Sequence, residues 1–194
     1  QRIADIMLEH DLPPEFFFLA LQESDFKLEA VGPETRFGIA KGMWQFMPGT
    51  ARDYGLRTGP LVGVGRPDPL DDRHDFEKST RAAARYLRRL YNTDAQASGL
   101  LVAASYNWGQ TRVLRLIRTM PQNPRERNFW QLLTQYRDRV PNETYDYVFS
   151  IVSAAVIGEN PELFGFGFDV PFQRPEPITD EVAGAAVDAP VVAP

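Results

Sequence analysis

Apolar side chains recur at helical spacing through most of this chain, and no alternating strand pattern of any length competes with them. Phe76, Thr80, Ala83, Leu87 and Leu90 mark one face of a long helix. Arg81, Arg85, Arg88 and Arg89, interleaved with Ala84, Leu87 and Leu90, read as its solvated face. A helix of this kind hides its apolar stripe by packing on other elements, so the pattern predicts an all-α domain. The nearly wholly apolar Leu100 to Tyr106 predicts a core helix, and Val113, Leu116 and Ile117 carry the next one, which Pro121 ends. Phe129 to Tyr136 predicts a short helix. The last starts near Asn142 and runs through Tyr147, Ile151 and Ala155, with Glu143 and Tyr147 one turn apart on a shared face.

Upstream, Leu12, Pro13, Pro14 and Glu15 read as a helix start, because proline suits the first turn and an acid there favours the macrodipole. Thr50 to Tyr54 predicts a short helix stopped by Gly55. The segment Arg57 to Pro69 holds Gly59, Pro60, Gly63, Gly65, Pro67 and Pro69, too many breakers for regular structure. Beyond Phe172 the composition turns to Pro, Ala, Val and acids. The expected organisation is therefore one domain over 1–170 and a Pro/Ala-rich tail or linker over 171–194. No stretch approaches the roughly 18 to 20 apolar residues of a membrane span. The chain starts at Gln1 without a basic, then apolar, leader, so any targeting segment has been removed or lies upstream.

The chemistry narrows by exclusion. With no cysteine there is no thiol nucleophile, disulfide or thiolate metal site. His10 and His74 are far apart and form no His-Glu-x-x-His pattern, so neither a metal nor a cofactor is expected. A Ser-His-Asp triad lacks its Gly-x-Ser-x-Gly elbow. The formal charge of −5 argues against nucleic acid as a partner. Carboxylate chemistry remains. Phe16, Leu19, Ala20 and Glu23 follow helical spacing, which places Glu23 on a core-seeking stripe at the helix end. A carboxyl so placed holds its proton near neutrality, as a general acid requires. A solvated helix-end glutamate is the competing reading.

Four blocks carry a resemblance. Glu23–Ser24, the run from Gly42 to Ala51, Ser105–Tyr106–Asn107–Trp108–Gly109, and Glu143 to Val148 occur in the order seen in lytic transglycosylases with the soluble-lytic-transglycosylase-type, goose-lysozyme-like catalytic domain. The chain resembles that family over roughly residues 12 to 158. Its Trp44–Gln45–Phe46–Met47–Pro48 version and its Pro141–Asn142–Glu143–Thr144 approach look most like the membrane-bound lytic murein transglycosylase D group. The resemblance implies a lysozyme-like helical domain with an active-site cleft. It also implies peptidoglycan glycan strands as substrate, and a periplasmic or cell-envelope location that follows from the substrate.

Position by position, the resemblance makes Glu23 the single catalytic acid/base. It would cleave the bond between N-acetylmuramic acid and N-acetylglucosamine without water, leaving a 1,6-anhydromuramoyl end. Ser24 matches the serine near the acid, and its alternative is a helix-terminal hydroxyl bonded to backbone. Gln45 and Met47 match cleft positions that hold the sugar. Tyr106 and Asn107 match the aromatic and amide lining the sugar site, and Tyr147 matches the tyrosine that reaches the catalytic carboxyl. Glu143 resembles a supporting acid tying the last helix to the cleft. Ser105 and Trp108 depart from the alanines usual in Ala-Tyr-Asn-Ala-Gly, and Glu34 to Lys41 adds a few residues, including Arg36 and Phe37, at a place that borders the cleft or is a neutral surface insertion. The Arg57–Pro69 loop raises the same choice. Two other readings share this scaffold: a goose-type lysozyme in which water replaces the intramolecular hydroxyl, and a peptidoglycan-binding module with vestigial catalysis.

Overall fold

The structure, a computed structural model, describes residues 1–123 and 125–171. Eight α-helices are present among them: α1 Arg2–Glu9, α2 Phe17–Ser24, α3 Pro48–Asp53, α4 Phe76–Tyr91, α5 Gly99–Trp108, α6 Gln110–Ile117, α7 Phe129–Tyr136 and α8 Asn142–Glu159. The expected tail lies, from residue 172 onward, outside the described residues.

The most apolar segment takes the centre. Leu101, Val102, Ala103, Ala104 and Ser105 of α5 are all buried, and α4, α6 and α8 pack around them. A helix with no polar face gains most from enclosure on every side. The Ser105 hydroxyl, the one polar group of that run, donates to the Leu101 carbonyl one turn back at 2.7 Å. α4 buries Ala83, Leu87 and Leu90 and turns Arg81 outward to Glu9 and Glu77. Its first turn is capped by Asp75, whose carboxylate accepts from the Lys78 backbone N–H. α2 packs on α8, and this packing brings the two ends of the chain's chemistry together.

Two elements were not expected. α1 precedes the predicted first helix and buries Ile3, Ile6 and Met7 at helical spacing. Residues Val31–Thr35 (β1) and Gly38–Lys41 (β2) form an antiparallel hairpin, so the added segment Glu34–Lys41 supplies the end of β1, the turn and all of β2 beside an otherwise helical fold. Gly32, Pro33 and Gly38 leave too few side chains for alternation to be visible. The turn is held by Thr35, whose hydroxyl donates to the Gly38 carbonyl at 2.8 Å and accepts from the Phe37 N–H at 3.1 Å.

The Arg57–Pro69 segment has no regular structure, as its breakers predict, yet it is pinned. Lys41 is fully buried and its Nζ donates to the carbonyls of Leu61 and Arg66 at 2.7 and 2.9 Å. Asp68 accepts from the backbone N–H groups of Leu61 and Leu70. The segment borders a recess with Leu28, Glu29, Asp72, His74 and Lys78, which none of Glu23, Gln45, Tyr106 and Tyr147 lines. Arg73, also fully buried, pairs with Asp71 at 2.7 Å and donates to the carbonyls of Ile39 and Phe46 at 2.8 and 3.0 Å. One guanidinium thereby joins β2 to the loop that follows it.

Candidate active site

Glu23 stands one residue before the end of α2. Its helix closes on two successive left-handed residues, Asp25 (φ 52°) and Phe26 (φ 61°). Such conformations are uncommon without glycine, and they swing the chain away directly beyond the carboxylate. Glu23 Oε1 accepts a hydrogen bond of 2.7 Å from the phenol of Tyr147 on α8, 124 residues on in sequence. Burial raises the Glu23 pKa from 4.5 to about 7. The Tyr147 hydrogen bond opposes that rise, and the negative charge of Glu143 adds to it. The result is a carboxyl shared between its two protonation states at neutral pH, able to give a proton and to take one back.

The surroundings are aromatic and backbone-rich. Tyr147 is 6% exposed, and its own ionisation is pushed well up by burial and by the Glu23 charge. The Tyr106 phenol is pushed up by the same two causes in the same order. That phenol donates to the Trp44 carbonyl at 2.9 Å, while the Trp44 indole, fully buried, donates from Nε1 to Thr80 Oγ1 at 3.1 Å. Tyr54, Tyr86 and Tyr106 form a row with ring centroids 5.0 and 5.2 Å apart.

The loop from Gly42 to Met47 is folded by one glycine. Gly42 has φ 79°, and a Cβ there would lie 1.7 Å from the Arg73 carbonyl oxygen, so no side chain fits. Gln45 (φ 47°) follows, with its Nε2 donating to the Gly42 carbonyl at 2.7 Å and its Oε1 beside Gly32 of β1. Ser24 donates to the Met43 carbonyl at 2.8 Å, so this hydroxyl joins the end of α2 to the loop. Met47 is half-buried at the start of α3. Asn107 Oδ1 accepts from Thr144 Oγ1 at 2.7 Å.

Of the residues singled out in the sequence, Glu23 and Tyr147 are joined directly, and Ser24, Gln45 and Tyr106 converge on the single loop 42–47. Asn107 meets the first turn of α8. Glu143 is exposed in that same turn and reaches Glu23 by charge. Sequence reasoning did not single out Thr144 or Tyr86. Thr144 had a signal, since it lies three residues before Tyr147 and so shares its helix face; Tyr86 had none beyond its place in α4. Among the described residues no group of three or more His, Asp or Glu is placed to hold a metal, and no helix is long and apolar enough to cross a membrane.

Comparison with known proteins gives one consistent answer. Membrane-bound lytic murein transglycosylase D from Escherichia coli K12 is 31% identical over 163 residues, 84% of this chain, and the protein of that name from E. coli O6:H1 matches equally. The chain spans about a third of the length of these curated relatives, 32% of each. The solved structure of an inactive mutant of the lytic transglycosylase Slt from Pseudomonas aeruginosa superposes with a TM-score of 0.54 at 23% identity, covering 85% of this chain and 24% of that one. This match bears out the all-α, lysozyme-like fold class. Residues 7–129 match the family described as Transglycosylase SLT domain. With more than half its length inside that match, the chain belongs to the transglycosylase SLT domain family.

Proposed function

We propose that this domain cleaves the glycan strands of peptidoglycan between N-acetylmuramic acid and N-acetylglucosamine by transglycosylation, with Glu23 as acid and then base. The observation that carries this reading is the Glu23 carboxyl, raised to about 7 and held by the Tyr147 phenol at 2.7 Å. The relatives' own names give murein as the polymer they act on. In the first step Glu23 gives its proton to the glycosidic oxygen, which leaves with the bonding pair as the 4-hydroxyl of N-acetylglucosamine. The acetamido group of the muramoyl sugar stabilises the carbon left electron-poor, in place of the second protein carboxylate that most glycosidases use. The muramoyl 6-hydroxyl then bonds to that carbon and returns its proton to the Glu23 carboxylate. No water is consumed, and the new end is a 1,6-anhydro sugar.

In this reading Gln45, Met47, Tyr106 and Asn107 hold the sugars, Ser24 fixes the acid's helix to the sugar-binding loop, and Glu143 supports the proton affinity of Glu23. A periplasmic or envelope location follows from where the polymer lies. Glu23→Gln keeps shape and removes the proton. Release of soluble muropeptides from purified sacculi should fall by on the order of 100-fold to 10,000-fold, and wild-type products should be one water lighter than reducing ends by mass. Reducing ends in the wild-type digest would replace this reaction with hydrolysis, and an unimpaired Gln variant would remove Glu23 from the chemistry.

A further inference from the structure

The charge of this protein is unevenly spread. Although the formal net charge is −5, the stretch from Trp108 to Pro141 carries seven arginines against two acids, Glu126 and Asp138. Arg112, Arg115 and Arg118 are exposed along α6 and its first following residue, three apart, so their Cα atoms rise about 4.5 Å from one to the next along the axis. Among the described residues none of these three makes an ion pair, whereas Arg2 of α1 and Arg81 of α4 are paired with Glu9 and Glu77. Like charges at this spacing weaken a helix, and among the described residues no acid pairs with any of the three.

The strip begins at the active site. Arg112 Nη1 donates to the Trp108 carbonyl at 2.8 Å, and Trp108 follows Tyr106 and Asn107 directly. At its far end Thr119, next to Arg118, donates to the Tyr136 phenol at 2.7 Å, and exposed Arg139 lies 5.4 Å over the Tyr136 ring. The basic track therefore runs from the edge of the site across α6 to the turn after α7.

We infer that the Arg112–Arg115–Arg118 strip binds the carboxylates of the peptide stems borne by the glycan strand, an inference that rests on the peptidoglycan reading above. Trp108 directly follows Tyr106 and Asn107, so a strand held by those two residues would bring the carboxylates of its stems toward the track. An anionic lipid surface offers similar chemistry, but surface attachment of a helix uses apolar side chains beside the cations. α6 exposes no large apolar residue; its other exposed position is Thr111.

Binding is measured in the Glu23→Gln background, so that the polymer is not consumed, with and without R112Q/R115Q/R118Q. Removing all three exposed charges at once should weaken binding to peptide-bearing sacculi about tenfold and flatten its salt dependence, with the triple lysine variant retaining most of the affinity. Chitin, the same β-1,4 backbone with neither stems nor lactyl carboxylates, should bind both proteins alike. Equal weakening on chitin, no weakening on sacculi, or a loss confined to phosphatidylglycerol vesicles would overturn the inference. Release of anhydro ends by the wild type is a separate readout: a protein that binds stems through the strip but makes no such ends refutes the transglycosylase reading and leaves this one standing.

Discussion

Tyr147→Phe is the sharpest test of the Glu23 environment, because it deletes one hydroxyl and leaves the ring in its buried place. The hydrogen bond from that hydroxyl favours the charged carboxylate, so its loss raises the Glu23 pKa further above about 7. A hydrogen bond to a charged acceptor contributes about 1.5 to 3 kcal/mol, which corresponds to roughly one to two pH units. The first chemical step requires the protonated acid, so the alkaline limb of activity lies near the Glu23 pKa. In the variant that limb should move up by roughly one to two pH units, whatever happens to the maximal rate. The assay is the initial rate of soluble muropeptide release from sacculi between about pH 5 and 10, with urea melts confirming that both proteins are folded throughout. A limb that stays in place, or moves to lower pH, would show that Tyr147 does not hold the charged form of Glu23 and would undo the electrostatic account of the site.

Stability should carry the same signature with the opposite benefit. A folded-state pKa raised from 4.5 to about 7 gives stability that is complete below 4.5 and lost as pH rises through about 7, on the order of 3 kcal/mol. Urea midpoints at the two ends of that window should therefore differ for the wild type and converge for Glu23→Gln; parallel slopes for the two proteins would sink the linkage. Lys41→Met strands the carbonyls of Leu61 and Arg66 and removes a positive charge that interacts with Asp68 and Asp71. It should cost on the order of 3 kcal/mol and open the 57–69 segment to limited proteolysis, and an unchanged cleavage pattern would refute the pinning.

The helices are legible because a period near 3.6 survives in α4, α6, α7 and the first turns of α8, and because α5 is an unbroken apolar run. α1 carries the same signal in Ile3, Ile6 and Met7, but in two turns with no side-chain cap at Gln1 it is outweighed by the proline-marked start that follows. The hairpin is hidden for a different reason: its register is set by the Thr35 turn and by Arg73 from elsewhere in the chain, with little side-chain alternation. The site shows the same division. That Glu23 lies on a buried stripe follows from local spacing, and burial is the larger cause of its raised pKa. That Tyr147 is its partner follows from the packing of α2 on α8, which no local pattern encodes, and only the family resemblance brings the two residues together in the sequence. The Ser24 bond to Met43 and the Thr144 bond to Asn107 depend likewise on how separate elements meet.

Arg73 has a mechanical consequence. By gripping the backbone of Ile39 and Phe46 at once, it makes the hairpin and the glutamine-bearing loop a single lever, with Phe37 at the outer tip and Gln45 near the fulcrum. Moving the hairpin relative to that loop would break hydrogen bonds to a guanidinium. Arg36 and Phe37 are exposed at the tip, while the Arg73 side chain that braces the arm is fully buried.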